Sequence, residues 1–165
     1  MGTAQFAAET TPATARHPVK TPITAYDARD EIALGILLQM ANLPTEDITP
    51  EMLEHFLTAH AGNALVGAAG LEVLGEVGLL RSVAVDESHR GTGLGKRLVA
   101  AMEEHAREQG VRELYLLTTD AVDFFAGMGY RKLPREQAPA AIAGTAQFSN
   151  LCPSSAAFLV KTLVA

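Results

Sequence analysis

A glycine-rich segment between an apolar strand and a helix constrains this chain more than any other feature. It reads Arg90-Gly-Thr-Gly-Leu-Gly-Lys-Arg97, with three glycines at alternate positions. Glycine adopts positive φ without strain and lets a ligand approach the backbone closely. Free N–H groups at the start of the next helix, the helix dipole and the basic side chains all favour an anion. The segment therefore predicts a binding site for a phosphate or pyrophosphate group.

Two common phosphate-binding motifs do not fit this segment. A Walker loop needs Ser or Thr after Gly-Lys, but Arg97 follows Lys96, and Arg90 stands where the first glycine belongs. A dinucleotide-binding fingerprint needs glycine at the position of Lys96. The string that remains is R-x-x-G-x-G, from Arg90 to Gly95. Taken alone, it is also compatible with a simple tight turn.

The apolar periodicity predicts strands and helices in mixed order along one domain. Strands are predicted at residues 22–26, 65–74, 77–85, 112–118, 130–133 and 157–164. Helices are predicted at residues 27–41, 94–109 and 121–128, with a turn or short helix at 139–146. A further short helix after Thr49-Pro50 is predicted from apolar residues at helical spacing: Met52, Leu53, Phe56, Leu57 and His60. This order predicts an α/β or α+β layered fold.

A tight hairpin is predicted where two long apolar runs meet at Gly75-Glu76. A two-residue turn with glycine first is typical of a type II′ hairpin. The register that this turn sets places Glu72 and Arg81 as diagonal neighbours on one face of the sheet. In the absence of a bulge, Val83 and Val85 share that face.

Composition limits the classes of protein to which the chain can belong. Its 165 residues are 48% apolar, which is enough for one domain with its own core. The formal charge of -6 argues against nucleic acid as a partner. The single cysteine, Cys152, excludes an internal disulfide and favours a reducing, cytoplasmic location. We expect no bound metal, since the histidines show no shared ligand spacing.

The first residues differ in composition from the rest of the chain. Residues 1–21 are rich in Ala, Thr and Pro, and they predict a flexible lead-in to a domain at residues 22–165. Neither a secretory signal nor a run of about 18 apolar residues is visible, so no membrane segment is expected.

The glycine segment and its surroundings resemble the GCN5-related N-acetyltransferases (GNAT). The likeness rests on the Leu-Leu-Arg-Ser-Val-Ala-Val run that ends at Val85, on R-x-x-G-x-G, and on the Ala121–Tyr130 segment. It covers roughly residues 23–133. It implies a single GNAT-type domain whose mixed, twisted sheet splays open at a cofactor cleft, with helices on both faces. It further implies acetyl-CoA as the acetyl donor, bound by these residues: Val83, Ala84, Val85, Arg90, Gly91, Thr92, Gly93, Leu94, Gly95, Lys96, Thr118 and Phe125.

The C-terminal part narrows the resemblance to arsenic-resistance N-acetyltransferases and to the acetyltransferase domain of N-acetylglutamate synthases. The similar segments are residues 114–119, 124–125, 129–131, 139–142, 145–148 and 151–156. The similarity implies a small amine as acceptor, an amino acid or analogue with an acidic side chain, organoarsenicals included. Contacts with the acceptor are implied for Thr145, Gln147, Phe148 and Cys152, although Cys152 could instead only pack.

Acetyl transfer to an amine needs a base, a polarised thioester carbonyl and a proton for the departing thiolate. Glu72 is the first candidate for the base and Glu76 the second. Glu72 could instead be a solvated edge residue or a partner of Arg81. Arg81 could clamp a substrate carboxylate or form a structural ion pair. A backbone N–H within residues 83–85 is expected to stabilise the oxyanion.

One departure from the family pattern concerns the general acid. Phe125 stands where many members of the family carry a tyrosine. Tyr115, Tyr130, Cys152 or water could replace it, or the thiolate could leave unassisted. The missing tyrosine keeps a second function open, a non-catalytic acetyl-CoA-binding sensor or interaction module. The apolar first helix and the resemblance are also compatible with a homodimer.

Overall fold

One mixed sheet of seven strands forms the centre of the molecule. The computed structural model describes residues 21–164, so the predicted lead-in lies outside the described residues except for Thr21. The strands are β1 (Ile23–Ala25), β2 (Leu57–Ala61), β3 (Ala64–Leu74), β4 (Val77–Val85), β5 (Glu113–Thr118), β6 (Arg131–Lys132) and β7 (Ala157–Thr162). Their spatial order is β1-β2-β3-β4-β5-β7-β6, and only β4 and β5 run parallel. The predicted mixed sheet is confirmed.

Helices cover both faces of this sheet. They are α1 (Glu31–Met40), α2 (Pro50–Leu53), α3 (Leu94–Glu108), α4 (Val122–Ala126) and α5 (Ala140–Ala143). On one face, Leu98 and Met102 of α3 are fully buried in one core with Leu71. On the other face, Leu38 of α1 packs in a second core with Ala84. No helix within residues 21–164 is long and apolar enough to cross a membrane.

The predicted helix over Met52–His60 is wrong beyond Leu53. Thr49 caps α2 as expected, since its hydroxyl accepts a hydrogen bond from the Met52 N–H at 3.2 Å. From Leu57 the chain instead forms β2, which pairs with β1 on one side and β3 on the other. The apolar spacing suits either structure over so short a stretch, and the two neighbouring strands decide for a strand.

The predicted hairpin is confirmed, but a bulge follows it on β4. The turn at Gly75, with φ 74°, sets the expected pairing as far as Arg81. The register then shifts, and Ser82 adopts φ 56°. The prediction that Val83 and Val85 share the face of Arg81 is therefore wrong. The extra residue of the bulge turns both valines toward the core beneath α3.

The sheet covers α1 on one side only. The inner side buries Leu34, Leu37 and Leu38. The outer side exposes three large apolar side chains, Ile32 at 78%, Ile36 at 56% and Met40 at 76%. The sheet therefore covers only part of the apolar surface of α1. Cover of the outer side by a second copy, as in a homodimer, stays a prediction.

β4 and β5 separate after a short stretch of pairing. Only Val77–Leu79 and Glu113–Tyr115 are paired, whereas β5 stays paired with β7 as far as Thr118. The edge of β4 that faces β5 is therefore free of a strand partner beyond Leu79. This separation opens a cleft at the C-terminal ends of the two strands, as the splayed sheet of the prediction requires.

The tight packing of Gly70 gives a test of the fold. A Cβ at Gly70 would lie 2.5 Å from the ring of Phe56, which is 1% exposed, so Gly70→Ala should destabilise the protein by roughly 1–3 kcal/mol. Gly35, inside α1, has no atom within 4 Å of an added Cβ, so Gly35→Ala should stabilise it by about 1 kcal/mol. Urea unfolding of both variants measures the two shifts. If both variants changed the free energy of unfolding by the same amount in the same direction, this packing would be contradicted.

Candidate active site

A cleft of about 660 Å³ opens where β4 and β5 separate. Most of the residues predicted to bind the cofactor line it: Val83, Ala84, Val85, Arg90, Gly91, Gly93, Gly95, Lys96, Thr118 and Phe125. Thr92 and Leu94 do not. The Thr92 hydroxyl donates to the His89 carbonyl at 2.6 Å, and Leu94 is buried in the core. The cleft also includes residues that the sequence did not single out, among them Leu43, His89, Asp120, Asp123 and Phe124.

The glycine segment presents backbone to the cleft in place of side chains. Gly91 and Gly93 have φ 77° and 89°, and a Cβ added at either would meet no atom within 4 Å. Gly93 is the N-cap residue of α3, so no side chain caps the first N–H groups of this 15-residue helix. The Arg90 side chain turns back toward the end of β4, and its Nε donates to the Val85 carbonyl at 3.1 Å. These features suit a bound pyrophosphate.

A buried guanidinium forms part of the cleft wall. The Arg81 side chain is 1% exposed. Its Nη1 and Nη2 both donate to the Asp47 carboxylate, and Nη1 also donates to Glu72 Oε2 at 2.9 Å. Its Nε donates to Ser82 Oγ at 3.1 Å. The expected contact between Glu72 and Arg81 is therefore present, within a cluster whose two carboxylates and one guanidinium leave a net negative charge.

Asp47 reaches this cluster from the segment between α1 and α2. Although burial opposes its ionisation, hydrogen bonds and charge from Arg81 lower the pKa of Asp47. Gln147 Nε2 lies 3.4 Å from both Asp47 carboxylate oxygens, and the Cys152 thiol donates to Gln147 Oε1 at 3.5 Å. Asp47 could not be predicted as a site residue from the sequence, because it lies in a polar turn 34 residues from Arg81 and belongs to no motif.

Six further predicted site residues do not line the cleft: Glu72, Glu76, Thr145, Gln147, Phe148 and Cys152. Glu76 is exposed in the hairpin turn, at the opposite end of β4. Thr145 is buried, and its hydroxyl donates to the Ile142 carbonyl at 2.8 Å and accepts from the Phe148 N–H at 3.2 Å. Among the residues predicted to bind the acceptor, only Arg81 lines the cleft itself.

The protein residues considered as general acids are engaged elsewhere. Tyr130 donates to Glu103 at 2.8 Å, and burial and the Glu103 charge raise the pKa of Tyr130. Tyr115 donates to Glu113 at 3.2 Å, and burial raises the pKa of Tyr115. Neither tyrosine lines the cleft. Burial also raises the pKa of the Cys152 thiol, which therefore keeps its proton near neutral pH.

The described part of the chain offers no assembled metal site. Within residues 21–164, no group of three or more His, Cys, Asp or Glu side chains is placed to hold a metal ion. His55 Nδ1 and His105 Nε2 lie 2.9 Å apart, but no third ligand joins them.

The sequence matches the model of the acetyltransferase (GNAT) family over residues 25–130, more than half of the chain. The chain belongs to the GNAT family of acetyltransferases. It is an acetyl-CoA-dependent N-acetyltransferase with a single GNAT-type domain, as the resemblance implied.

Relatives of this GNAT protein include other acetyltransferases. A protein of Bacillus subtilis (strain 168) that is named as an acetyltransferase is 31% identical over 113 residues, which are 64% of this chain and 76% of that protein. The amino-acid acetyltransferase of Pseudomonas aeruginosa (strain LESB58) is 28% identical over 118 residues, 70% of this chain and 26% of that protein. The chain thus spans about a quarter of the amino-acid acetyltransferase.

The fold is similar to that of a solved N-acetylglutamate synthase. The structure of that enzyme from Neisseria gonorrhoeae, complexed with coenzyme A and N-acetyl-glutamate, superposes with a TM-score of 0.78 at 17% identity. The match covers 96% of this chain and 38% of that chain. At this identity the likeness concerns the fold.

The residues of the cleft suit acetyl-CoA, the acetyl donor of this family. The unpaired edge of β4 at residues 83–85 offers main-chain groups that can pair with an extended pantetheine arm. Gly91 and Gly93 leave open space beside the first N–H groups of α3, where a pyrophosphate would lie. Lys96 adds positive charge at the same end. Phe124 and Phe125 supply an apolar wall.

A matched pair of glycines tests the cofactor assignment. Gly93 and Gly110 have φ 89° and 86°, and an added Cβ meets no atom within 4 Å at either position. Gly93→Ala and Gly110→Ala should therefore cost similar stability, about 1–2 kcal/mol each. Only Gly93→Ala should weaken coenzyme A binding, by about tenfold or more, because its Cβ occupies the pyrophosphate space. Calorimetric titration measures both; equal affinities in the two variants would refute the assignment.

The pairing of Asp47 gives a pH-dependent test. Because Asp47 has a lower pKa when folded than its ordinary 3.8, the unfolded chain binds the proton first as pH falls. The stabilisation is therefore complete above about pH 5 and is lost as pH falls through the folded-state pKa. Asp47→Asn should lower the free energy of unfolding by about 2–3 kcal/mol at pH 7 and by much less at pH 3.

Urea unfolding at several pH values measures this difference. Glu46→Gln, at the exposed neighbouring carboxylate, serves as the control and should change little. A loss in Asp47→Asn that does not depend on pH would show that the Arg81 pairing is not its cause.

Proposed function

We propose that the acceptor is the amine of a small amino acid or amino-acid analogue with an acidic side chain, organoarsenical analogues included. The contact between Asp47 and Gln147 carries this proposal. It joins the segment after α1 to the C-terminal segment next to Arg81, a residue of the cleft wall, and this closure favours a small acceptor over a long peptide. The resemblance of the C-terminal segments and the likeness to an amino-acid acetyltransferase of Pseudomonas aeruginosa support it.

Glu72 is the proposed base, acting through water. Its Oε2 accepts from Arg81, whereas its Oε1 has no hydrogen-bond partner among residues 21–164. Two side-chain atoms in that range, Thr58 Oγ1 and Arg135 Nε, are buried without a hydrogen-bond partner. Glu72 Oε1 is not one of them. Solvent therefore reaches Oε1. Asp47 suits the role less well, because both of its oxygens accept from Arg81 and its pKa is lowered.

The remaining roles follow from the walls of the cleft. Acetyl-CoA supplies the activated acetyl thioester. A backbone N–H at residues 83–85 polarises the carbonyl, while Glu72 takes the proton of the acceptor ammonium through water. Because Phe125 cannot donate a proton, both tyrosines are engaged elsewhere and the Cys152 thiol donates to Gln147 away from the cleft lining, water is the proposed proton donor to the departing thiolate.

A comparison of two carboxylates tests the base. Glu72→Gln should lower kcat by about 100-fold or more, the usual contribution of a general base, while coenzyme A binding stays within about twofold. Glu76→Gln makes the same chemical change at the other end of β4 and should leave kcat unchanged. Thiol release under saturating acetyl-CoA measures the rates. Full activity in Glu72→Gln, or an equal loss in both variants, would rule out Glu72 as the base.

An acceptor panel tests the substrate class. Acetyl-CoA-dependent thiol release should occur with glutamate, aspartate or their phosphinic and arsenic-bearing analogues, and not with polyamines or a lysine peptide. Turnover confined to polyamines or the peptide would refute the proposed acceptor. An absence of turnover on every amine, with acetyl-CoA still bound, would instead favour the sensor or interaction module.

A further inference from the structure

We propose that Arg135 binds the side-chain carboxylate of the acceptor and so sets the preference for acidic over neutral amino acids. This inference rests on the proposed function, since it names the residue that would recognise the acidic group. Arg135 lies between β6 and α5, in a short 3-10 turn that the sequence analysis did not single out.

Arg135 lacks the carboxylate partner that Arg81 and Lys161 have. Arg81 pairs with two carboxylates, and Lys161 pairs with Glu103 at 3.0 Å. Arg135 is half-buried, yet no Asp or Glu within residues 21–164 forms an ion pair with it. Its Nε is buried and has no hydrogen-bond partner in that range. A half-buried charge in this state is stabilised by any anion that reaches it.

The guanidinium of Arg135 is held in place while part of it stays available. Its Nη2 donates to the Pro153 carbonyl at 2.8 Å and to the Ala156 carbonyl at 3.1 Å. Its Cζ lies over the Phe148 ring, 5.1 Å from the ring centroid. Neither Nη1 nor Nε donates to a described residue. A fixed guanidinium whose Nη1 is free suits a charge-assisted hydrogen bond to a carboxylate.

A continuous set of contacts links Arg135 to the cleft. Pro153 follows Cys152, whose thiol donates to Gln147. Gln147 in turn contacts Asp47, the partner of Arg81 on the cleft wall. Both guanidinium groups act on the Cys152 thiol, where they oppose the rise in pKa caused by burial. In the proposed pose the acceptor amine lies near β4, and the acceptor side chain follows this C-terminal segment toward Arg135.

Arg81 is poorly placed for the same task, although the sequence favoured it. Its donors already serve Asp47, Glu72 and Ser82. The cluster carries a net negative charge, so a third carboxylate at this position would be repelled. The positive charge of Arg135 is not offset by any described carboxylate in this way.

The test compares an acidic acceptor with its amide in several variants. The ratio of kcat/KM for glutamate to that for glutamine, or for aspartate to asparagine, is measured in the wild type, Arg135→Gln, Arg135→Lys and Arg131→Gln. Arg135→Gln should lower this ratio by about tenfold or more, through KM for the acidic acceptor alone. Arg135→Lys should restore part of it, since the charge remains. Arg131→Gln, an exposed charge on β6, should leave it unchanged.

The amide comparison separates recognition from structural support. Loss of the bonds to Pro153 and Ala156 would slow both acceptors equally and leave the ratio unchanged, which would overturn the proposal. If Arg135→Gln does not fold, Arg135→Met takes its place, because it keeps an aliphatic side chain without the charge, and an unchanged ratio in Arg135→Met overturns the proposal. A wild type that acetylates no acidic amino acid but does acetylate another amine refutes the proposed function itself. These outcomes are distinct, because the last requires no variant.

Discussion

A guanidinium buried in the middle of a sheet strand determines the arrangement around the cleft. An unpaired charge at Arg81 would be strongly destabilising, so the fold brings two carboxylates and the Ser82 hydroxyl to it. The same stretch of β4 carries the bulge at Ser82. The bulge turns Val83 and Val85 away from the ion pairs and toward the opposite core. The five residues from Arg81 to Val85 thus carry the buried charge and also shape the wall of the active site.

The half of the site that binds the cofactor and the half proposed to bind the acceptor are built from different parts of the polypeptide. The cofactor half is built from main-chain groups, at the open edge of β4 and at the start of α3, and its glycines matter because they lack a side chain. The proposed acceptor half is built from side chains that hold one another through hydrogen bonds and ion pairs. Specificity for the acceptor can therefore change by substitution while the cofactor half is retained. This agrees with a family whose members share the fold at low identity.

Features with local causes could be predicted from the sequence, and features with distant causes could not. The Gly75 turn and the glycine segment were found because glycine itself marks the required backbone. Ser82 holds positive φ without any such mark, so the bulge and the faces beyond it were missed. Most of β2 was predicted as part of a helix, because the spacing of its apolar residues fits a helix or a strand until the neighbouring strands are known. Asp47 is distant in sequence from Arg81, and no single-sequence pattern joins them.

The sequence separation between Asp47 and Gln147 has a consequence for how the protein folds and unfolds. The cofactor half joins residues close together in sequence, whereas this contact closes a loop of 100 residues. Closing so long a loop carries a larger entropic cost, which only late packing of the C-terminal segment offsets. We therefore expect the proposed acceptor half to open before the cofactor half under mild denaturation. A partly opened molecule would keep its affinity for coenzyme A after losing its choice of acceptor, so tight cofactor binding alone is no sign of an intact enzyme.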